Sequence, residues 1–139
     1  MKLIAKLRYR ALYSAWAGMF VLTAVLGLLF PAAADPAGRL ALQLTAAAFF
    51  LPPWLILAKA QAAGEKRHIL LVRYLSLASI AGTCVLLALN IGSIGQGAAV
   101  GNALNAMLTV VSAPLVCSNF YAMPLFLWGT VVMGSFRRR

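Results

Sequence analysis

The stretch KRHILLVRYLSLASIAGTCVLLALNI, residues 66–91, decides the fold class. It opens with Lys66, Arg67 and His68, and from residue 69 to residue 91 it carries a single charge, Arg73. About 20 apolar residues suffice to cross the hydrocarbon core of a bilayer as a helix. Because Arg73 lies about one turn from residue 69, where the predicted span starts, its side chain can extend to the headgroup level. The stretch therefore predicts a membrane-spanning helix.

Three more apolar runs flank this one, at about 11–32, 40–58 and 109–134. The strict alternation that a spanning β-strand requires is not seen in them. The first run is longer than the 7–15 residues typical of the apolar region of a signal peptide, so we interpret it as a retained span. The prediction is an all-α integral membrane protein, a four-transmembrane-helix bundle. Since one helix from 98 to 134 would be about 55 Å long, residues 98–108 are assigned to an outer extension.

The composition agrees with this class. The chain has 139 residues, of which 63% are hydrophobic and 10% charged, whereas a soluble domain carries about 25% charged residues. Lipid is therefore the expected solvent for most of the surface. The length suits a single membrane domain, residues 1–139.

The charges predict an orientation. Eleven of the twelve basic residues precede the first run, surround the 59–68 loop or close the chain, and Arg39 is the exception. Basic residues concentrate in cytoplasmic loops. We therefore expect a multi-pass protein of the plasma membrane with both termini cytoplasmic. Because these charges flank apolar runs and form no single basic face, no nucleic-acid partner is expected.

The two halves of the chain resemble each other. Arg-Tyr opens the first run at residues 8–9 and the third at 73–74. An aromatic pair precedes a proline by three residues in the second run, Phe49-Phe50, and in the fourth, Phe120-Tyr121. The pattern predicts a tandem repeat of two helical hairpins, and chance similarity between apolar sequences is the alternative.

Polar residues recur at helical spacing in the third and fourth runs. The candidate polar site comprises Ser76, Ser79, Thr83, Ser112, Ser118 and Asn119. Spacings of three, four and seven place such residues on one helical face. One interpretation is hydrogen-bonded packing between membrane helices. The other is a polar pathway, in which Pro114 and Pro124 break the fourth helix around Ser118 and Asn119.

Basic residues near the inner interface form a second candidate site. Lys66, Arg67, Arg73 and Arg137 are placed to contact the headgroups of membrane lipids, which are anionic in this hypothesis. The alternative is that these charges set the topology and bind nothing.

Catalysis finds little support. The only histidine is His68, interpreted as a solvated loop residue, and the only acids are Asp35 and Glu65. These residues assemble no metal cluster, catalytic triad or carboxylate pair, so no enzyme activity, metal or cofactor is expected. Cys84 and Cys117 are interpreted as small buried residues.

Three functions stay open. The first is a non-catalytic protein acting through helix–helix contacts, as an accessory subunit of a partner membrane protein or as a homo-oligomer. The second is a small transporter or channel with its polar site between the third and fourth spans. The third is an anionic-lipid-binding protein.

Overall fold

A computed structural model of the protein describes residues 8–30, 35–93 and 97–137. These ranges contain helices and no strand: α1 (Tyr9–Leu29), α2 (Pro36–Ala48), α3 (Leu51–Ala63), α4 (Lys66–Gly92), α5 (Ala98–Val111), α6 (Ala113–Ser118) and α7 (Ala122–Phe136). The all-α prediction is confirmed for this part of the chain. Residues 31–34, where the first predicted run ends, and 94–96, after the third run, lie outside the described residues, as do the basic positions Lys2, Lys6, Arg138 and Arg139.

Three helical stretches are apolar and long enough to cross a membrane. They are α1 with 21 residues, α2 and α3 together with 28, and α4 with 27. In α1 and α4 only 17% of the most apolar window is buried inside the protein. Soluble monomers rarely expose continuous apolar surface of this extent. The helices are therefore compatible with a membrane protein.

Each proline that the structure describes inside a predicted span stands in the first turn of a helix. Pro52 and Pro53 follow Leu51 in the first turn of α3, Pro114 follows Ala113 in the first turn of α6, and Pro124 lies in the first turn of α7. The first turn tolerates proline because its N–H groups have no acceptor within the helix. These prolines therefore stand just after breaks between consecutive helices.

The fourth predicted span, 109–134, is divided among three helices. α5 begins at Ala98, takes up the predicted outer extension and ends at Val111. Ser112 then leaves the helical conformation with φ −143° and ψ 65°, because Pro114 lacks the N–H that would continue the α5 hydrogen bonds. A second turn follows α6, where Asn119 adopts a left-handed conformation with φ 48°. Neither α5 nor α7 reaches the length of the three long stretches.

At one end of the helix assembly, the first turns of α1 and α4 lie close to the last turns of α3 and α7. The Tyr9 ring of α1 stacks on the His68 ring of α4 with centroids 3.8 Å apart. Lys59 Nζ of α3 lies 4.9 Å from the centroid of Tyr9, and Arg73 of α4 bonds to Ser135 of α7. We call this the basic end, formed by residues 8–13, 59–73 and 134–137.

Farther from the basic end, α6 packs against α1 and α2. A Cβ on Gly27 of α1 would lie 2.9 Å from the backbone N of Cys117 and 3.0 Å from Val116 Cγ1. The Cys117 thiol donates to the Leu42 carbonyl of α2 at 3.6 Å. Glycine at position 27 therefore permits the backbones of α1 and α6 to touch, as small residues do between membrane helices.

Aromatic rings form the centre of the core. Phe50 meets Trp128 edge-on, with centroids 5.2 Å apart at 86°, and Phe49 meets the same indole at 6.1 Å and 74°. Both phenylalanines are buried. Phe120 and Tyr121, their counterparts in the predicted repeat, also lie at a helix break but are each 52% exposed. The two aromatic pairs therefore occupy different environments.

Candidate functional site

A cavity lies at the basic end, between the end of α3, the start of α4 and the end of α7. Its volume is about 700 Å³. The lining residues are Gln61, Gly64, Lys66, Ile69, Leu70, Arg73, Ser135, Phe136 and Arg137. We call it the basic cleft. It brings together three of the four residues predicted to contact headgroups, and Arg67 is exposed outside it.

Arg73 is the most firmly held of the three cations. Its Nε donates to Ser135 Oγ at 2.9 Å and its Nη2 donates to the Ser135 carbonyl at 2.6 Å. The guanidinium carbon lies 3.8 Å from the centroid of the Phe136 ring. A guanidinium has five N–H donors, so these two bonds leave three N–H groups. Arg73 is thus pre-oriented and keeps donors for an anion.

The other walls of the cleft are also joined across helices. Gln61 Nε2 of α3 donates to the carbonyls of Gly134 at 2.7 Å and Arg137 at 3.3 Å. The Gly134 carbonyl also accepts from the Arg137 N–H at 3.2 Å, so Gln61 ties the end of α3 to the C-terminal turn of α7. Lys66 and Arg137 are exposed, so their charges lie at the mouth of the cleft while Arg73 lies deeper.

A second polar cluster lies at the basic end, beside α1. The Tyr13 hydroxyl and His68 Nδ1 are 3.0 Å apart, and His68 Nε2 lies 3.4 Å from Glu65 Oε2. The structure corrects the interpretation of His68 as a solvated loop residue, because it lies in the first turn of α4 with its side chain 25% exposed. The spacing of Tyr9 and Tyr13, four residues apart on one helical face, is the sequence signal that could have indicated this cluster.

The six predicted polar-site residues do not form one site. Ser76, Thr83 and Ser112 are fully buried, and their hydroxyls have no hydrogen-bond partner among the described residues. A Cβ on Gly82 would lie 2.7 Å from Val111 Cγ1. α4 and α5 therefore approach closely at the positions next to Thr83 and Ser112.

Ser118 and Asn119 lie at the turn that ends α6, away from the buried hydroxyls of Ser76, Thr83 and Ser112. Ser118 Oγ accepts from the Phe120 N–H at 3.2 Å and donates to the Leu115 carbonyl at 3.2 Å. Asn119 is exposed in its left-handed turn. Both residues shape the end of α6, and neither lies at the seam between α4 and α5.

Ser79 is the one member of the six that lines a described cavity. This second cavity has a volume of about 260 Å³ and lies between α1 and α4, and we call it the lateral cavity. Its walls are Tyr13, Trp16, Ala17, Phe20, Phe49, Leu75, Ser79, Val110, Val111, Ala113, Pro114 and Trp128. It is therefore mainly aromatic and aliphatic, with no charged side chain in its lining.

The residues described in 8–30, 35–93 and 97–137 contain no group of three histidine, cysteine or acidic side chains placed to hold a metal ion. Comparison of the chain with protein-family models, curated proteins and solved structures finds no match.

Proposed function

We propose that the protein is a non-catalytic membrane protein that binds the anionic headgroup of a lipid in the basic cleft. The observation that carries this proposal is the convergence of Lys66, Arg73 and Arg137 on one cavity of about 700 Å³. These cations come from the start of α4 and the end of α7, and Leu70 adds an apolar wall beside them. Cationic donors next to an apolar helix surface suit a headgroup phosphate whose acyl chains extend along the helix.

In this proposal the basic end faces the cytoplasm at the plasma membrane. α1, α2–α3 and α4 make three crossings, and the interrupted segment α5–α6–α7 makes the fourth. Two observations support this topology: the first turn of α1 and the last turn of α7 meet at the same end, and eleven of the twelve basic residues belong to segments leading there. Cysteine labelling tests it, because reaction of Arg10→Cys from outside intact cells would overturn the orientation.

The three charges of the basic cleft determine how strongly it would prefer an anionic headgroup over a zwitterionic one. A basic residue near an anionic membrane surface contributes about 1 kcal/mol. Three such residues give about 3 kcal/mol, which is a preference of roughly 100-fold for an anionic over a zwitterionic headgroup. The fixed guanidinium of Arg73 loses little conformational freedom when it binds.

Native mass spectrometry of the full-length protein in detergent tests the proposal. After delipidation, we expect retention of added phosphatidylglycerol and much weaker retention of phosphatidylcholine. Lys66→Gln and Arg137→Gln are each expected to weaken phosphatidylglycerol binding about fivefold, the equivalent of about 1 kcal/mol. These two exposed residues are chosen because Arg73→Gln would also remove the bonds to Ser135.

Arg10→Gln is the matched control. Arg10 is exposed on α1 at the same end and does not line the cleft, so its loss is expected to change binding less than twofold. Equal retention of both lipids by the wild type would overturn the proposal. An equal loss in Arg10→Gln and Lys66→Gln would also overturn it, because general charge would then account for binding.

A second proposal is association of α1 with another copy of the chain, so that the protein acts through helix–helix contacts. Its support is one exposed face of α1 that carries Ala11, Ser14, Ala15 and Gly18, where a Cβ on Gly18 would meet nothing within 4 Å. Small residues four apart favour close pairing of membrane helices. Light scattering of the detergent complex tests it: a dimer that Gly18→Leu dissociates is expected, and a strictly monomeric wild type would refute it.

Transport through a polar site between α4 and the α5–α7 segment stays a prediction with narrower support, because only Ser79 of the six candidates lines a cavity. Liposome flux that Ser79→Leu abolishes would favour this role. The tandem repeat also stays a prediction, supported by the helix breaks that both aromatic pairs share.

A further inference from the structure

The three cations of the basic cleft have no negative charge opposite them. Among the described residues that line the cleft, none is acidic. Glu65 precedes Lys66 in the chain, but it is not part of the lining, and its carboxylate lies 3.4 Å from His68 Nε2. Like charges around one cavity repel each other, and they do so more strongly where the protein excludes water. An anionic occupant of the cleft would relieve this repulsion.

The cations lie at two levels of the cleft. Lys66 and Arg73 are seven residues apart on α4, so they stand on one face of the helix with their Cα atoms about 10 Å apart along its axis. Arg73 is half-buried, whereas Lys66 is exposed. Arg137 is also exposed and directly follows the last residue of α7. One cation therefore lies inside the cleft and two lie at its mouth.

The inner cation is sufficient for one phosphate group. Arg73 keeps three N–H groups beyond its bonds to Ser135, and a guanidinium pairs well with the oxygens of a phosphate. A phosphodiester carries a single negative charge, so one such group compensates Arg73. Lys66 and Arg137 would then still lack an opposite charge, which a second phosphate at the mouth would supply.

The size of the cleft agrees with an occupant larger than one phosphate. Its volume is about 700 Å³, in the middle of the range of about 300–1,000 Å³ typical of pockets that hold whole small molecules. A single phosphate group would fill only a small part of this space. The cleft therefore has room for two phosphates and the group that links them.

An apolar strip of α4 indicates that the occupant is a lipid. Leu70 and Leu77 lie on the same face of the helix as Arg73, and they are 41% and 40% exposed. Leu70 also lines the cleft, so the strip continues from the cleft along α4. A soluble polyphosphate would leave the strip uncovered, whereas the chains of a lipid would cover it. Basic pockets between membrane helices are known to bind lipids with more than one phosphate.

We propose that the occupant of the basic cleft is a lipid whose headgroup carries two phosphate groups. Arg73 binds the inner phosphate, and Lys66 and Arg137 bind the outer one. This inference rests on the proposed binding of an anionic headgroup in the cleft, and it adds the number of phosphates that the headgroup contains.

Native mass spectrometry of the delipidated full-length protein tests this inference with two pairs of probes. One pair is cardiolipin and phosphatidylglycerol, and the other is geranylgeranyl diphosphate and geranylgeranyl monophosphate. We expect the probe with two phosphates to bind about tenfold more tightly in at least one pair, the scale of one or two further basic contacts. Two equivalent phosphates that bind one at a time would give only about a twofold preference by statistics.

The preference within a pair is the readout that identifies the outer phosphate. The double variant Lys66→Gln/Arg137→Gln is expected to reduce the preference to about twofold or less, because the mouth then has no cation. The double variant Arg10→Gln/Arg67→Gln is the matched control. It removes the same charge from exposed positions outside the lining and is expected to keep the preference. Circular dichroism establishes that both variants fold.

The outcomes separate this inference from the proposed function. A preference for cardiolipin alone would support phosphates joined through glycerol, and a preference for the diphosphate alone would support phosphates joined directly. Retention of phosphatidylglycerol over phosphatidylcholine, with no more than a twofold preference in either pair, would overturn this inference and leave headgroup binding in place.

Three further results would contradict it. An equal loss of preference in the two double variants would show that general charge accounts for the effect. Displacement of the bound lipid by inorganic diphosphate at equal concentration would show that no lipid chain is needed. Equal retention of phosphatidylglycerol and phosphatidylcholine would overturn the proposed function together with this inference.

Discussion

The contact between α1 and α6 at Gly27 gives the sharpest test of the fold. In a Gly27→Ala variant the new Cβ would lie 2.9 Å from the Cys117 backbone N, 3.0 Å from Val116 Cγ1 and 3.1 Å from the Val116 carbonyl carbon. Two of these three atoms belong to the backbone, so no side-chain rotation can relieve the overlap. α6 would have to move away from α1.

The expected magnitude follows from two opposing terms. Alanine is favoured over glycine in a helix by about 1 kcal/mol, while inserting a methyl group into a close-packed contact costs about 1–3 kcal/mol. Within a monomeric chain Gly18→Ala isolates the first term, because a Cβ there would meet nothing of the same copy within 4 Å. Both glycines lie in α1. The free energies of unfolding of the two variants should therefore differ by about 1–3 kcal/mol, with Gly27→Ala the less stable.

Equilibrium unfolding in mixed micelles measures this difference. The protein is titrated with sodium dodecyl sulfate and followed by the fluorescence of its three tryptophans. Wild type, Gly18→Ala and Gly27→Ala are compared at one protein concentration. If Gly27→Ala proved as stable as Gly18→Ala, the close approach of α1 and α6 would be refuted.

Three further changes are expected to have defined effects. Trp128→Ala should destabilise the protein by about 3–5 kcal/mol, because the indole is 2% exposed in the aromatic core, while Phe126→Ala on the same helix, where the ring is 68% exposed, should stay within about 0.5 kcal/mol in the same titration. Tyr13→Phe should cost about 0.5–1.5 kcal/mol and shift the ¹⁵N resonance of His68 Nδ1, and an unchanged resonance would contradict the bond between them. Asp35→Ala should cost about 1 kcal/mol and Asp35→Asn less, since this side chain caps α2 through the Gly38 N–H; equal stability of wild type and Asp35→Ala would exclude the cap.

The long helices were largely predictable from local sequence. The run predicted at 69–91 lies within α4, Lys66–Gly92, and the run at 40–58 lies within the 28-residue stretch from Pro36 to Ala63. A long uncharged apolar segment in a lipid environment favours a helix, because its backbone polar groups must bond within the segment. The lengths of these long helices depend on neighbouring residues, so they can be predicted without knowing the contacts between distant residues.

The interruption of the last segment was only partly predictable. Pro114 and Pro124 signalled irregular backbone, but the extent of the breaks depends on contacts with distant residues. α6 lies against Gly27 and Leu42, and those contacts hold the short helix between the turns at Ser112 and Asn119. Contacts with distant residues decide whether this segment forms one continuous helix or three short ones. The spacing of residues along the chain does not reveal those contacts.

The candidate sites were likewise predictable in part from the sequence and were decided in part by the tertiary structure. Charge by itself marked Lys66, Arg73 and Arg137, and folding brought all three to one cleft because α4 starts where α7 ends. Helical spacing placed Ser76, Ser79 and Thr83 on related faces, yet only Ser79 borders a cavity. Hydropathy, charge and proline positions determined the helical class, the apolar runs and the basic character of one end. Which side chains share a cavity, and which buried hydroxyls lack partners, was decided by tertiary contacts between residues far apart in sequence.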